Sequence, residues 1–334
     1  MGSLEELCKD LDKAIGDNSV AQSVTKFINT GYPPLNQAIS GKYDGGLPFG
    51  RMVEVYGDSS TGKTALATKW MIEAQRMGGT AIFIDWEKSF DVDMAQEMGL
   101  NVERPYWIYK RSKTWEDGNI VASKACQAIR ASKLISEDAP ILVIFDSIAA
   151  ALPQSTTGKE IDELTMNDTS ALARVTSTTL KSQAGFAADF DATFIYLNQV
   201  REKIGVMFGD KTSTPGGKAM GFYATVRMSL TRQKMMEQRD GEKEFVGQKI
   251  TINCVKSKLT APYKKCSLDL TFDENGMARF DEEAGMIEHL KNIGAIASSG
   301  ARVTWTDGKQ YYVKVLAEKI RTDDAYSELV NLLP

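Results

Sequence analysis

Apolar positions fall into two textures along the chain. Six short runs are built around apolar residues: RMVEVYG (51–57), TAIFIDWE (80–87), PILVIFDS (140–147), ATFIYLNQ (192–199), YATVRMSL (223–230) and KITINCVKSK (249–258). Stretches of helical spacing lie between several of them, at 63–78, 114–134 and 170–186. Continuous apolar strands separated by helices predict an α/β fold with a mostly parallel central sheet covered on both faces. The last two runs are close in sequence, so an antiparallel hairpin extension is expected there. Residues 3–16 put Leu4, Leu7, Leu11 and Ile15 on one helical stripe, with Ser3 and Glu6 as a capping box. Such a short helix cannot bury its stripe alone, so it either folds back or docks on a neighbouring subunit. After about Glu274 the texture changes to a helix (EEAGMIEHLKNIGAI), an aromatic strand pair around WTDGKQYYV and a closing helix. The expected organisation is an N-terminal oligomerisation helix and linker over 1–33, an α/β core over 34–274, and a small C-terminal α+β domain over 275–334.

Composition narrows the partners. The 334 residues are 43% hydrophobic and 25% charged, with a net charge of −4. Any nucleic-acid contact must therefore come from local basic clusters. Four scattered cysteines without a C-x-x-C argue against a zinc site or a disulfide framework and fit a reducing compartment. His289 is the one histidine, which excludes a multi-histidine metal site. No run is apolar enough to span a membrane, and the N-terminus lacks an apolar signal core, so a cytoplasmic protein is expected.

The strongest chemical signal is GDSSTGKT, residues 57–64, between a strand and a helix. Gly57, Asp58, Ser59, Ser60, Thr61, Gly62, Lys63 and Thr64 fit the P-loop, whose backbone N–H groups and helix N-terminus cradle phosphates. Lys63 is expected on the β- and γ-phosphates, and the Thr64 hydroxyl on Mg²⁺. Asp146 ends an apolar strand at the sheet edge where ligands bind, and would hold Mg²⁺ through water. An Asp capping the strand's exit turn would look the same. Asp85 and Glu87 end the strand before it; extended backbone would turn both to one side, with Glu87 as the base for an attacking water. Surface carboxylates at a strand end are the plainer alternative.

The stretch NQVREKIGVMFGDKTSTPGGK, residues 198–218, has no strand or helix period and carries four basic and two acidic side chains. Alone it reads as a functional loop of unknown ligand. Together with GGLPFGRMVEVYGDSSTGKT, AIFIDWE, ILVIFDSIAA and VKSKLTAPY, it resembles the RecA family of DNA strand-exchange recombinases, in that family's order and near its spacing over roughly 45–275.

The resemblance implies a RecA-type ATPase that uses ATP and Mg²⁺. It implies a helical filament on single-stranded DNA that pairs with double-stranded DNA and exchanges strands, assisted by loading or mediator proteins. In that reading 198–218 is the second DNA loop. Ile204 is its apolar wedge between bases, and Arg201, Lys203, Gly216, Gly217 and Lys218 approach phosphates. The first DNA loop falls at about 154–169, longer than the family's, with Met166 as wedge. Arg174 and Lys181 share a helix face behind it, and Arg227 joins the DNA contacts. Gln199 senses the γ-phosphate. Lys256 and Lys258, facing one way along a strand, reach the neighbouring subunit's ATP. Met94 covers the adenine where bacterial members stack an aromatic ring, and Asp91 accepts from the adenine amino group. Leu7, Leu11 and Phe222 belong to the subunit interface, while Gly221 replaces an interface lysine. These departures, and the absence of an acidic C-terminal tail, point to a divergent, phage-encoded member. Two readings compete: a RecA-fold motor such as a ring helicase or regulatory ATPase, and a non-catalytic recombination mediator.

Overall fold

The computed structural model describes residues 3–15, 23–159, 163, 166–202, 212–239, 241–273 and 276–334. Its centre is a nine-stranded sheet of β1 (Met52–Gly57), β2 (Thr80–Asp85), β3 (Trp107–Arg111), β4 (Ile141–Asp146), β5 (Ala192–Asn198), β6 (Val226–Arg239), β7 (Glu242–Ser257), β8 (Lys264–Phe272) and β9 (Ala278–Asp281). The spatial order is β9-β8-β7-β6-β1-β5-β4-β2-β3. From β6 to β3 all neighbours are parallel; β6 to β9 are antiparallel. All six apolar runs are strands, and the expected hairpin joins β6 to β7.

The helices are α1 (Leu4–Ile15), α2 (Pro33–Ser40), α3 (Lys63–Arg76), α4 (Val92–Glu97), α5 (Trp115–Ser132), α6 (Met166–Asp189), α7 (Ala219–Tyr223), α8 (Glu282–Asn292), α9 (Val313–Thr322) and α10 (Tyr326–Val330). Strand alternation assigns side chains to the two sheet faces. Val53 and Val55 join Leu66, Trp70 and Met71 of α3 in one core. Met52, Phe145 and Tyr196 join Trp115 of α5 and Leu180 of α6 in the other. With both faces covered, β1, β2, β4 and β5 are buried almost throughout, and Glu54 in the middle of β1 is completely buried with them.

A third core, around Met286, Leu290, Val303, Trp305, Leu316 and Ile320, holds α8, α9, α10 and a three-stranded sheet near the C-terminus. The central sheet continues past Glu274 to Asp281, whose side chain caps α8 by accepting from the Ala284 N–H at 3.2 Å. Lys69 of α3 meets Glu282 of α8 at 2.5 Å, and Arg321 meets Asp281 at 2.8 Å. At the other end, Ser3 and Glu6 form the expected capping box, with N–H to side-chain oxygen distances of 3.0 and 3.2 Å. Leu4 and Leu7 of α1 are 81% and 54% exposed. The side chain of Leu11 lies outside the described positions.

Candidate functional site

The carboxyl ends of β1, β2, β4 and β5 gather the phosphate-site residues. Gly62, at the N-cap of α3, has φ +85°, and a Cβ there would lie 2.4 Å from Ile250 Cδ1. Glycine is required on both counts. The helix opens at Lys63 with no acidic residue in its first turn, so its N-terminus suits an anion. The Lys63 ammonium donates to the carbonyls of Gly57 (3.0 Å) and Asp58 (2.8 Å). Burial holds it below the usual lysine range, against the opposing pull of Asp146, Glu87 and Asp58. Thr61 is buried, and its hydroxyl donates to the Asp58 carbonyl at 2.9 Å.

Thr64 and Asp146 meet across the sheet edge: the Thr64 hydroxyl donates to Asp146 Oδ2 at 2.9 Å. Asp146 is 5% exposed. Its burial, and then the charges of Glu87 and Asp85, push the carboxyl up to about 7, with Thr64 and Lys63 acting the other way. The Asp146 carbonyl accepts from the N–H groups of Trp86 (2.7 Å) and Glu87 (3.3 Å), which fixes the chain leaving β2 against β4.

That turn overturns one expectation. β2 stops at Asp85, so Asp85 and Glu87 are not alternate residues of one extended strand. Asp85 is buried and serves the fold: it accepts from the Lys88 N–H at 2.5 Å and from the Tyr109 hydroxyl at 2.7 Å. Glu87, past the strand end, is exposed. Its Oε1 accepts from the Ser147 hydroxyl and, at 3.4 Å, from the Gln199 amide. Ser147 had no separate sequence signal beyond its place after Asp146.

Asp91 caps α4, accepting from the Met94 N–H at 3.0 Å, and Met94 packs on the core with Phe90 and Met98. Both roles are local.

Gln199 leads into the segment read as the second DNA loop. Lys203 and Ile204 lie outside the described residues. A two-residue ladder closes the base of the segment, pairing Arg201 with Ser213 and Glu202 with Thr212. Arg201, Gly217 and Lys218 are exposed. Gly216 is different from its expected phosphate role: it is buried with φ +84°, and a Cβ would lie 3.0 Å from Ile148 Cγ2. It packs the segment's exit against the second core. Arg174 and Lys181 are both exposed on α6. Lys159 pairs with Asp168 at 2.6 Å across the first loop; Met166 opens α6, but its side chain is outside the described positions.

Arg227, expected at DNA, is engaged by the fold. Its Nε donates to Glu54 Oε2 at 2.6 Å, and its guanidinium lies 5.0 Å from the Tyr56 ring centroid. The two lysines have different partners. The β6–β7 register shifts at Val255, ahead of both of them, and β7 ends at Ser257, although the Lys258 N–H still donates to the Thr225 carbonyl at 3.0 Å. Lys256 donates to the carbonyls of Gly221 (2.7 Å) and Phe222 (3.2 Å), while Lys258 is exposed past the strand end. Burial, then the charges of Lys258 and Arg227, hold Lys256 below its usual range. Phe222 is 70% exposed.

A sequence model of the RecA N-terminal domain matches residues 3–277. The chain belongs to the RecA family. It is similar to Protein RecA of Bacteroides thetaiotaomicron, 34% identical over 311 residues that cover 92% of this chain and 86% of that protein. It is similar to Protein RecA of Heliobacterium modesticaldum, at 32% over 90% and 82% of the two chains, and of Enterococcus faecalis, at 32% over 90% and 81%. This RecA family member is an ATP-dependent recombinase of homologous recombination and repair, and a DNA-dependent P-loop ATPase. RecA membership carries DNA binding and filament formation with it. Among the described residues no helix is long and apolar enough to cross a membrane.

Proposed function

We propose that ATP binds at residues 57–64 and that Glu87 is the general base of its hydrolysis. The observation that carries this is the convergence of Lys63, Thr64, Glu87, Asp146 and Gln199 at one edge of the sheet, with Glu87 hydrogen-bonded to Gln199. Glu87 would orient the attacking water and take its proton. Lys63 would leave the Gly57 and Asp58 carbonyls for the phosphates. Gln199 would exchange Glu87 for the γ-phosphate and carry the segment behind it, linking nucleotide state to DNA affinity.

The Thr64 hydroxyl and the Asp146 carboxylate fit Mg²⁺: they are hard oxygens beside the phosphate cradle, and Asp146 is a buried acid whose charge needs a partner. When bound, the ion would neutralise phosphate charge. Lys258 would act on the neighbouring subunit's ATP, with Lys256 holding the carbonyls beside Phe222. Phe222, Leu4 and Leu7 would be covered by neighbouring subunits. Arg201, Lys218, Arg174 and Lys181 would supply phosphate charge to largely sequence-independent DNA binding. We also assign residues 1–33 to oligomerisation, 34–274 to the ATPase core and 275–334 to a small domain attached through β9. Mediator proteins and a cytoplasmic location complete the proposal.

ATP hydrolysis with and without single-stranded DNA at two salt concentrations tests it. Stimulation that weakens at high salt is expected. Hydrolysis indifferent to DNA would separate the 198–218 segment from the phosphate site.

A further inference from the structure

A completely buried carboxylate sits where the phosphate-loop strand meets the end of β5 and the start of β6. Glu54 occupies the middle of β1, three residues before Gly57. Its two oxygens serve two elements. Oε2 accepts from Arg227 Nε at 2.6 Å, and Oε1 accepts from the Asn198 amide at 2.9 Å. Asn198 is itself completely buried at the end of β5. Its amide also donates to the Pro215 carbonyl at 3.0 Å, and its Oδ1 accepts from the Gln199 N–H at 3.0 Å. One side chain therefore clamps the backbone where the segment leaves β5 and where it returns. Gln199, held in this way, reaches Glu87. Tyr56 beneath Arg227 and Lys256 near both charges extend the cluster towards Gly221 and Phe222.

A fully buried charge is costly unless paired and hydrogen-bonded, and an apolar residue would serve β1 better if packing were all that was needed. We infer that Glu54 is a positioning residue for DNA-stimulated hydrolysis: it locks the Asn198 clamp, so that movement of the backbone at Gln199 and Pro215 is passed to the phosphate-loop strand and to Glu87. The inference rests on the proposed roles of Glu87 and Gln199. Glu54 touches neither nucleotide nor DNA in this arrangement; it acts through Asn198.

Two variants test it by different routes. Glu54→Gln keeps one acceptor oxygen, so one of the two bonds is lost. Asn198→Ala removes the clamp and leaves the Glu54–Arg227 pair whole, which covers the case in which the first variant fails to fold. Steady-state ATP hydrolysis is measured with and without single-stranded DNA. Both variants are expected to keep DNA-independent kcat and KM for ATP within about twofold of the wild type. The rate at saturating DNA should fall about tenfold, and the DNA concentration for half-stimulation should rise. Basal and stimulated rates falling in equal proportion in both variants would mark a purely structural role and overturn the inference. Full stimulation in both variants, with a stimulated wild type, would overturn it alone. A wild type that DNA does not stimulate would overturn the reading of the loops, and the inference with it.

Discussion

Asp146 is the site residue whose surroundings least favour a charge. Its carboxyl, pushed up to about 7 by burial and by Glu87 and Asp85, keeps a proton that the unfolded chain, ionising near about 3.9, has already lost. Its contribution to stability is therefore full below the unfolded value and is lost as pH rises through the folded one. A divalent cation requires the ionised form, so its binding releases that proton. Added Mg²⁺ without nucleotide should raise the melting temperature little near about pH 5 and more near about pH 8. Asp146→Asn should flatten the difference. A Mg²⁺ effect independent of pH in the wild type would remove Asp146 from the metal role. Glu87 is tested separately. Glu87→Gln keeps an oxygen for Ser147 and loses the base, so kcat should fall by about 10²–10⁴-fold with nucleotide binding retained. Hydrolysis at the wild-type rate would end its assignment.

At the scale of elements, the sequence reading held where a simple period held. The apolar runs became β1, β2, β4, β5, β6 and β7, because strands covered on both faces carry little else. β3, with exposed Lys110 and Arg111, and β8, with alternating polar residues, lack that signature. The phosphate loop was legible because its chemistry is local. Alternation does not carry past a strand's end: Asp85 is buried where β2 stops, and Glu87, beyond it, is exposed. Glu54 was visible as a charge inside an apolar run, but its partners Asn198 and Arg227 are about 144 and 173 positions away in sequence. The different surroundings of Lys256 and Lys258 have a measurable consequence. Lys256→Ala leaves the part-buried Gly221 carbonyl and the exposed Phe222 carbonyl without their donor and should cost about 0.5–1.5 kcal/mol in urea unfolding. Lys258→Ala, at an exposed position, should stay within about 0.5 kcal/mol of the wild type. Equal costs would mean that the two side chains share one environment.

At the scale of the whole molecule, the strand-end site holds its own Lys63, Thr64, Glu87 and Asp146, while Lys258 is exposed past the end of β7 and Phe222 stands open to solvent on α7. In a head-to-tail filament each ATP would then lie between Glu87 of one subunit and Lys258 of the next. Neither Glu87→Gln nor Lys258→Ala alone should hydrolyse ATP well on DNA, since every interface lacks one half. In an equal mixture of the two, random assembly gives about a quarter of the interfaces an intact Glu87 and an intact Lys258. The mixture should therefore recover about a quarter of the wild-type rate, and recovery should vanish when Phe222→Ala is added to both partners and weakens assembly. If Lys258 instead served the ATP of its own subunit, no interface in the mixture would be repaired. The rate would then follow the composition-weighted average of the two variants at every ratio.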